Sequence, residues 1–135
     1  MNVIKKSAPF LIGIAISGFV VHANAQDKPK GKPWPVDAAA AKIKMPATTD
    51  AKAGKDLWDQ HCKKCHGATG KGDGAMSKKL EIAVGDFTSG ELSKKTDGGL
   101  FWKIAEGRKP MPSYKAKLSD SERWNLVAYM RTFKK

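Results

Sequence analysis

The chain has 135 residues, of which 25 are Lys or Arg and 13 are Asp or Glu, so that its formal net charge is +12. This length is enough for one domain with a modest hydrophobic core. Length and composition therefore exclude a large enzyme, a collagenous chain and a multi-span membrane protein.

Residues 1–25 have the three-part pattern of a secretory signal peptide. Two lysines precede an uncharged apolar run of 14 residues over positions 8–21, and the small residues of Ala23-Asn24-Ala25 follow at the spacing that signal peptidase accepts. The run is short for a bilayer span of about 20 residues. We therefore expect cleavage after Ala25, a periplasmic location and no permanent membrane span. An uncleaved anchor helix is the alternative.

Residues 26–49 are rich in Lys, Pro and Ala and are expected to form an N-terminal arm in front of a domain at 50–135. The prolines prevent a long helix here. Trp34 stands between two prolines and either anchors the arm on the domain or lies in a solvated linker, since this composition supports both.

Three helices are predicted in the domain. Asp50 is a candidate N-cap for the first, Thr96 begins the second, which stops at Gly107, and the capping box from Ser119 to Glu122 begins the last. Between them, Pro110-Met111-Pro112 is expected to be an extended, stiff loop, because each proline also restrains the residue before it. No stretch alternates with the period of a strand, so the expected fold class is all-α.

Both cysteines lie in one pentapeptide, Cys62-Lys63-Lys64-Cys65-His66. A redox dithiol favours a strand before the pair, and none is predicted. A structural zinc site needs four ligands around the metal, and residues that lie this close together in the sequence are poorly placed to surround it. Cys-x-x-Cys-His is the attachment signal of haem c, in which two thiols bind the macrocycle and the adjacent imidazole binds the iron. The sequence therefore predicts one covalent haem, and an exported zinc- or thiol-based binding module remains the remote alternative.

At this point the chain resembles class I c-type cytochromes, the small periplasmic monohaem electron carriers, over roughly residues 51–133. The resemblance implies a cytochrome c-like fold of three to four helices around one haem, with the first and last helices crossing at a glycine and aromatic residues. Gly54 and Trp58, against Trp124, Leu126 and Tyr129, are similar to that contact. The matching segments are Gly54 to Trp58, Cys62 to Gly74, Asp97 to Ile104, Met111 to Tyr114, and Leu118 to Arg131. Relatives usually have proline where this chain has Ala75, so the hydrogen bond that orients the proximal histidine is expected from an alanine carbonyl.

The second axial ligand is expected to be a methionine. Met45 lies in the arm, Met130 lies on the apolar face of the last helix, and Met76 follows His66 by only ten residues. Met111 lies 45 residues after His66, between prolines that present it rigidly, and it is also the ligand position in the family. We expect His66 and Met111 to be the axial ligands, with Met76 as the alternative. Such a pair suits one-electron transfer.

Many lysines surround the predicted site. Because export separates the protein from nucleic acid, the basic charge is interpreted as a docking face for acidic redox partner proteins, against the simpler interpretation of a generally basic surface. The expected docking residues are Lys63, Lys64, Lys71, Lys78, Lys79 and Lys109.

The sequence as a whole predicts a periplasmic monohaem c-type cytochrome that carries single electrons between redox partners and is not an enzyme. The alternative is a dedicated cytochrome subunit of a larger oxidoreductase complex.

Overall fold

The computed structural model describes residues 28–133, so the expected signal peptide and its cleavage site lie outside the described residues. Four α-helices follow in chain order: α1 at Ala51–His61, α2 at Lys63–His66, α3 at Asp97–Glu106 and α4 at Asp120–Arg131. Short 3-10 helices occupy Ala40–Lys42, Ser77–Lys79 and Glu91–Lys94. Residues 28–133 contain no strand, and the all-α prediction is confirmed.

The helices begin where their capping residues are. The Asp50 side chain accepts hydrogen bonds from two backbone amides of α1, and Thr96 accepts one from Gly99. At α4, Ser119 and Glu122 form the complete capping box. Each side chain satisfies amides that have no partner inside the helix, which explains why these boundaries were predictable from local sequence.

α1 and α4 cross at Gly54. A Cβ at this position would lie 2.0 Å from the carbonyl oxygen of Asn125 and 2.9 Å from Cβ of Tyr129, so only a glycine lets the two backbones approach so closely. Trp58, one turn later, is 1% exposed and packs edge-on against Tyr129 and Phe133. The predicted crossing of the first and last helices is therefore present.

Trp124 was expected at this crossing, but it packs elsewhere. Its ring stacks on Phe101 of α3 with 4.2 Å between centroids, and Arg123 lies over the same Phe101 ring. The aromatic residues of α4 therefore pack against two different helices: Tyr129 contacts α1 and Trp124 contacts α3. The core formed by these three helices includes Leu100, Ile104, Leu126, Val127 and Met130.

The loop that carries Met111 is a tight turn, whereas the sequence predicted an extended segment. Arg108 and Met111 exchange two backbone hydrogen bonds of 2.9 Å, so residues 109 and 110 form a hairpin-like corner. Two prolines restrict backbone angles but do not by themselves set the direction of the chain. The turn folds Met111 back toward α3.

The arm lies on the domain. Its 3-10 helix at Ala40–Lys42 packs against α3, and Asp37 caps this helix by accepting from the amides of Ala39 and Ala40. The Trp34 ring contacts Trp102 at 6.3 Å between centroids. The described part of the chain has no helix long and apolar enough to cross a membrane.

Candidate functional site

The Cys-x-x-Cys-His pentapeptide is held at the junction of α1 and α2. Cys62 closes α1 through its backbone amide, which donates to the Trp58 carbonyl at 2.9 Å. The Cys62 carbonyl then accepts from the amides of Cys65 at 3.1 Å and His66 at 2.9 Å. The chain then forms the single helical turn α2. This turn fixes the spacing of both thiols and the imidazole.

The glycine-rich loop after His66 folds back onto α2. Gly74 donates its amide to the Cys65 carbonyl at 3.2 Å, and a Cβ at Gly74 would lie only 2.3 Å from the carbonyl oxygen of Lys64. The Trp58 indole N–H closes the other side by donating to the Gly67 carbonyl at 3.0 Å. The close approach needs glycine and braces the pentapeptide from both sides.

Two adjoining cavities of about 570 and 220 Å³ open beside the pentapeptide. Their combined size falls within the range of roughly 300–1,000 Å³ that is typical of cofactor pockets. Cys62, His66 and Met111 line both cavities, and Cys65 lines the smaller one. The structure therefore brings all four predicted site residues to one place.

The His66 ring lies between aromatic side chains. It stacks on Phe87 at 5.0 Å between centroids and contacts Trp58 at 5.7 Å. Burial lowers the pKa of His66 to about 4, an effect that the Gly85 backbone partly opposes, so the imidazole is neutral at physiological pH. Phe87 could not be predicted as a site residue, because it is a lone aromatic residue in a turn-rich segment.

The Nδ1 atom of His66 is buried and has no hydrogen-bond partner among residues 28–133. The hydrogen bond expected from the Ala75 carbonyl is therefore not formed. Ala75 lies on the exposed side of the loop, where the chain turns into the 3-10 helix at Ser77–Lys79. A buried nitrogen without a partner is costly, and it marks this ring as one whose polar atoms serve a bound group.

Met111 is held in place by the loop that follows it. The Ser113 hydroxyl donates to the Ala105 carbonyl at 2.6 Å, and the Tyr114 amide donates to the Ile104 carbonyl at 3.1 Å. The Tyr114 hydroxyl then reaches α1 by donating to the His61 carbonyl at 2.9 Å. The loop is thus tied to α3 and α1 together.

The other methionines lie differently. Met76 is 40% exposed and lines neither cavity, and Met45 packs against the core without reaching a cavity. Met130 lines the larger cavity but is buried in the core on α4, as expected for a packing residue. Met111 is the methionine that a loop presents to both cavities.

The thiols are not arranged for redox or zinc chemistry. Burial, followed by the neighbouring Cys65, raises the pKa of Cys62 to about 12, which opposes the thiolate that disulfide exchange and zinc binding require. No strand precedes the pair between residue 28 and Cys62. Within residues 28–133, no group of three or more His, Cys, Asp or Glu side chains comes together as a metal site.

Several basic residues line the two cavities. The larger cavity is lined by Lys28, Lys30, Lys95 and Lys103, and of the predicted docking lysines Lys109 alone lines a cavity, the smaller one. Burial and the nearby charges of Lys95 and Arg108 lower the pKa of Lys103. The sequence could not identify these lysines, because the chain brings them together from the arm, α3 and the segment before α3.

Residues 49–130 match the family model described as cytochrome C oxidase, cbb3-type, subunit III. The chain is also 32% identical over 92 residues to cytochrome c-554(547) from Halothiobacillus neapolitanus, an alignment that covers 63% of this chain and 98% of that protein. The chain belongs to this family of c-type cytochromes. Its cofactor is haem c, covalently attached and containing iron, and the family carries electrons.

Solved structures agree with this membership. The cytochrome is similar to the KustC0563 c-type cytochrome, with 34% identity, a TM-score of 0.54 and coverage of 61% of this chain and 98% of that one. It is also similar to a chain of the Kuenenia stuttgartiensis reducing HAO-like protein complex Kustc0457/Kustc0458, with 28% identity and a TM-score of 0.56. That alignment covers 78% of this chain and 52% of the other. The predicted cytochrome c-like fold is confirmed, and the zinc or thiol module is excluded.

The residues of this cytochrome fit haem c. Two thiols, a neutral imidazole and a thioether reach the same pair of cavities, whose remaining walls are mainly aromatic and aliphatic. The unpartnered Nδ1 of His66 is the kind of polar atom that a bound group orders. The lysines at the mouth of the larger cavity suit the carboxylates that haem carries.

Proposed function

We propose that this cytochrome carries single electrons between redox partners in the periplasm, with His66 and Met111 as the axial ligands of its haem iron. The observation that supports this assignment is that His66 and Met111 line the same two cavities, together with Cys62. Cys62 and Cys65 are the proposed attachment residues. Each thiol would add its sulfur to one carbon of a vinyl group and its hydrogen to the other.

Haem iron supplies reversible one-electron chemistry when it is bound. The chain's own residues set the conditions for it. His66 offers a neutral nitrogen because its burial opposes protonation. Met111 offers a thioether from a loop fixed by backbone hydrogen bonds. With protein side chains at both axial positions there is no open position for a substrate, so we propose a carrier and not an enzyme.

The periplasmic location and the division of the chain are part of the proposal. Residues 1–25 have the pattern of a signal peptide that is cleaved after Ala25. The arm at 26–49 would then precede the cytochrome domain at 50–135.

Docking to acidic partners is proposed for the lysines around the site. Lys63, Lys64, Lys71, Lys78, Lys79 and Lys109 are all exposed. Lys63 forms an ion pair with Asp59, with 3.4 Å between the charged atoms, which reduces the charge that it presents to a partner. Lys109 flanks Met111 and lines the smaller cavity, which makes it the member of the set nearest to the proposed ligand loop.

A dedicated subunit of a larger oxidoreductase is the second candidate. It is favoured by the description of the matching family model as an oxidase subunit and by the similar chain in a protein complex. Purification from the native source separates the two. A free shuttle is expected to purify alone, and a stable stoichiometric partner would favour the subunit.

The ligand assignment is tested by two matched methionine variants of the haem-loaded protein. Met111→Ala is expected to lose the weak far-red sulfur-to-iron absorption band and to lower the reduction potential, because the thioether stabilises the reduced iron. Met76→Ala removes an exposed methionine outside both cavities and is expected to keep both properties. A Met111→Ala protein that retains the band, or a Met76→Ala protein that loses it, would contradict the assignment.

A further inference from the structure

Lys28 and Pro29, the first described residues, bind the segment that leads into one wall of the larger cavity. Lys28 Nζ donates to three backbone carbonyls within residues 77–80, two of them at 2.9 and 3.1 Å. The Pro29 carbonyl accepts from the amide of Ala83 at 3.0 Å. Ala83 lines both cavities. It lies just before Gly85 and Phe87 in the chain, and these two residues are the ones close to His66. This end of the arm is therefore fixed to the histidine side of the site.

A few residues later, the same segment binds Arg108, on the side of the site that carries the Met111 loop. The Arg108 guanidinium donates to the carbonyls of Lys32 and Pro33, each at 3.0 Å. Its Cζ lies 4.7 Å from the centroid of the Trp34 ring, and Lys103 Nζ lies 5.1 Å from the same centroid. Trp34 thus contacts two cations and also lines both cavities.

Arg108 connects this segment to Met111. The two residues exchange backbone hydrogen bonds of 2.9 Å across the tight turn. A guanidinium that is held by carbonyls of the arm therefore restrains the backbone that presents the thioether. We call residues 28–34 the N-terminal strap. The strap lies before the region that matches the family, which begins at residue 49.

We propose that the N-terminal strap holds the Met111 loop closed, with Trp34 and Arg108 as positioning residues for the axial methionine. The proposal rests on the assignment of Met111 as a ligand. For the thioether to leave the iron, the turn at 108–111 has to move away from the cavity. The contacts of Arg108 with the strap exist in the closed arrangement, so they reduce the fraction of molecules whose loop is open.

The open fraction is measurable with an added ligand. Imidazole binds the ferric iron only when Met111 is displaced, so its apparent affinity rises in proportion to the open fraction. Trp34→Ala and Arg108→Gln are each expected to bind imidazole about tenfold more tightly than the wild type, within the range of coupling through packed side chains. The titration follows loss of the far-red band of the oxidised holoprotein.

Three further variants make the test specific. Ile43→Ala changes a residue of the same arm that is 47% exposed and lines neither cavity, and it is expected to keep wild-type imidazole affinity. Trp34→Phe keeps a ring for the two cations and is expected to restore most of the wild-type value. Arg108→Lys keeps the charge but loses the paired donors, and it is expected to fall nearer to Arg108→Gln.

The outcomes separate this proposal from the function on which it rests. A wild-type protein with the far-red band, together with strap variants of unchanged imidazole affinity, overturns the strap and leaves the ligand assignment intact. A wild-type protein without the band overturns the ligand assignment, and the strap's role with it. If Trp34→Ala or Arg108→Gln fails to retain haem, Trp34→Leu and Arg108→Lys are judged by the same imidazole criterion.

Discussion

At the scale of single residues, Gly54 shows how one side chain sets the geometry of the molecule. The carbonyl oxygen of Asn125 on α4 lies only 2.0 Å from the position that a Cβ of residue 54 would occupy. The contact puts Trp58 against Tyr129 and Phe133 and so places the end of α1, where the pentapeptide begins. Glycine inside a helix lowers its stability by about 1 kcal/mol relative to alanine, and the close packing at the crossing offsets this loss.

We predict that Gly54→Ala destabilises the haem-loaded protein by about 3 kcal/mol, because the overpacking cost at a backbone contact exceeds the gain in helix propensity. Denaturant unfolding measures the change. The control is Gly90→Ala, where nothing lies within 4 Å of the added Cβ and only the positive φ of +81° is unfavourable, at a cost of about 1 kcal/mol. Equal losses in the two variants would show that the crossing is not tight.

At the scale of elements, the helices follow local rules and the loops do not. Asp50, Thr96 and Ser119 cap their helices as the sequence predicts, because a cap depends on residues two or three positions away. The turn at Met111 and the stacking partner of Trp124 depend on contacts between distant segments. The sequence therefore indicated which loop carries the methionine but not the way that loop folds.

The site residues were predictable for a similar reason. Cys62, Cys65 and His66 lie within five positions, so their chemistry is readable from spacing alone. Arg108 and Tyr114 carry donors that haem carboxylates could accept, yet these side chains donate to the backbone carbonyls of Lys32, Pro33 and His61. Long polar side chains find partners that only the folded chain brings near.

Tyr114 gives a prediction for the loop as an element. Tyr114→Phe removes the hydroxyl that ties the methionine loop to α1, and we expect the haem-loaded protein to lose about 1 kcal/mol of stability, the usual net value of one hydrogen bond. Thermal or denaturant unfolding measures it. Tyr129→Phe is the matched control, since it removes the hydroxyl of the chain's other tyrosine, which packs against Trp58 at the crossing of α1 and α4 and does not lie in the methionine loop. A loss no larger than in Tyr129→Phe would contradict the role of this tie.

At the scale of the whole molecule, the excess of basic residues is the dominant feature. The formal net charge is +12 for the full chain and +10 once the proposed signal peptide, with Lys5 and Lys6, is removed. A charge of this size produces a long-range field that accelerates encounters with acidic partners more than it strengthens the final complex. The field is screened beyond about 10 Å at 0.1 M salt. The docking proposal therefore concerns rates and their dependence on salt.

We predict that Lys109→Glu slows electron transfer to an acidic redox partner about threefold at low ionic strength, and that added salt reduces the difference. Stopped-flow measurements of the bimolecular rate constant test this. Lys52→Glu makes the same charge change at the far end of α1, roughly 15 Å along the helix from Cys62, and should have a smaller effect. Identical slowing in both variants would favour a generally basic surface over a docking face.

His66 and Met111 are proposed to bind the iron of a covalently attached haem together. The absorption spectrum of the oxidised wild-type holoprotein, matured in a host that attaches haem c, tests this proposal. We predict a low-spin haem c spectrum with the weak far-red sulfur-to-iron band, which requires a methionine ligand. A haem c spectrum without that band would contradict it and would reopen the second axial position to a ligand or a substrate.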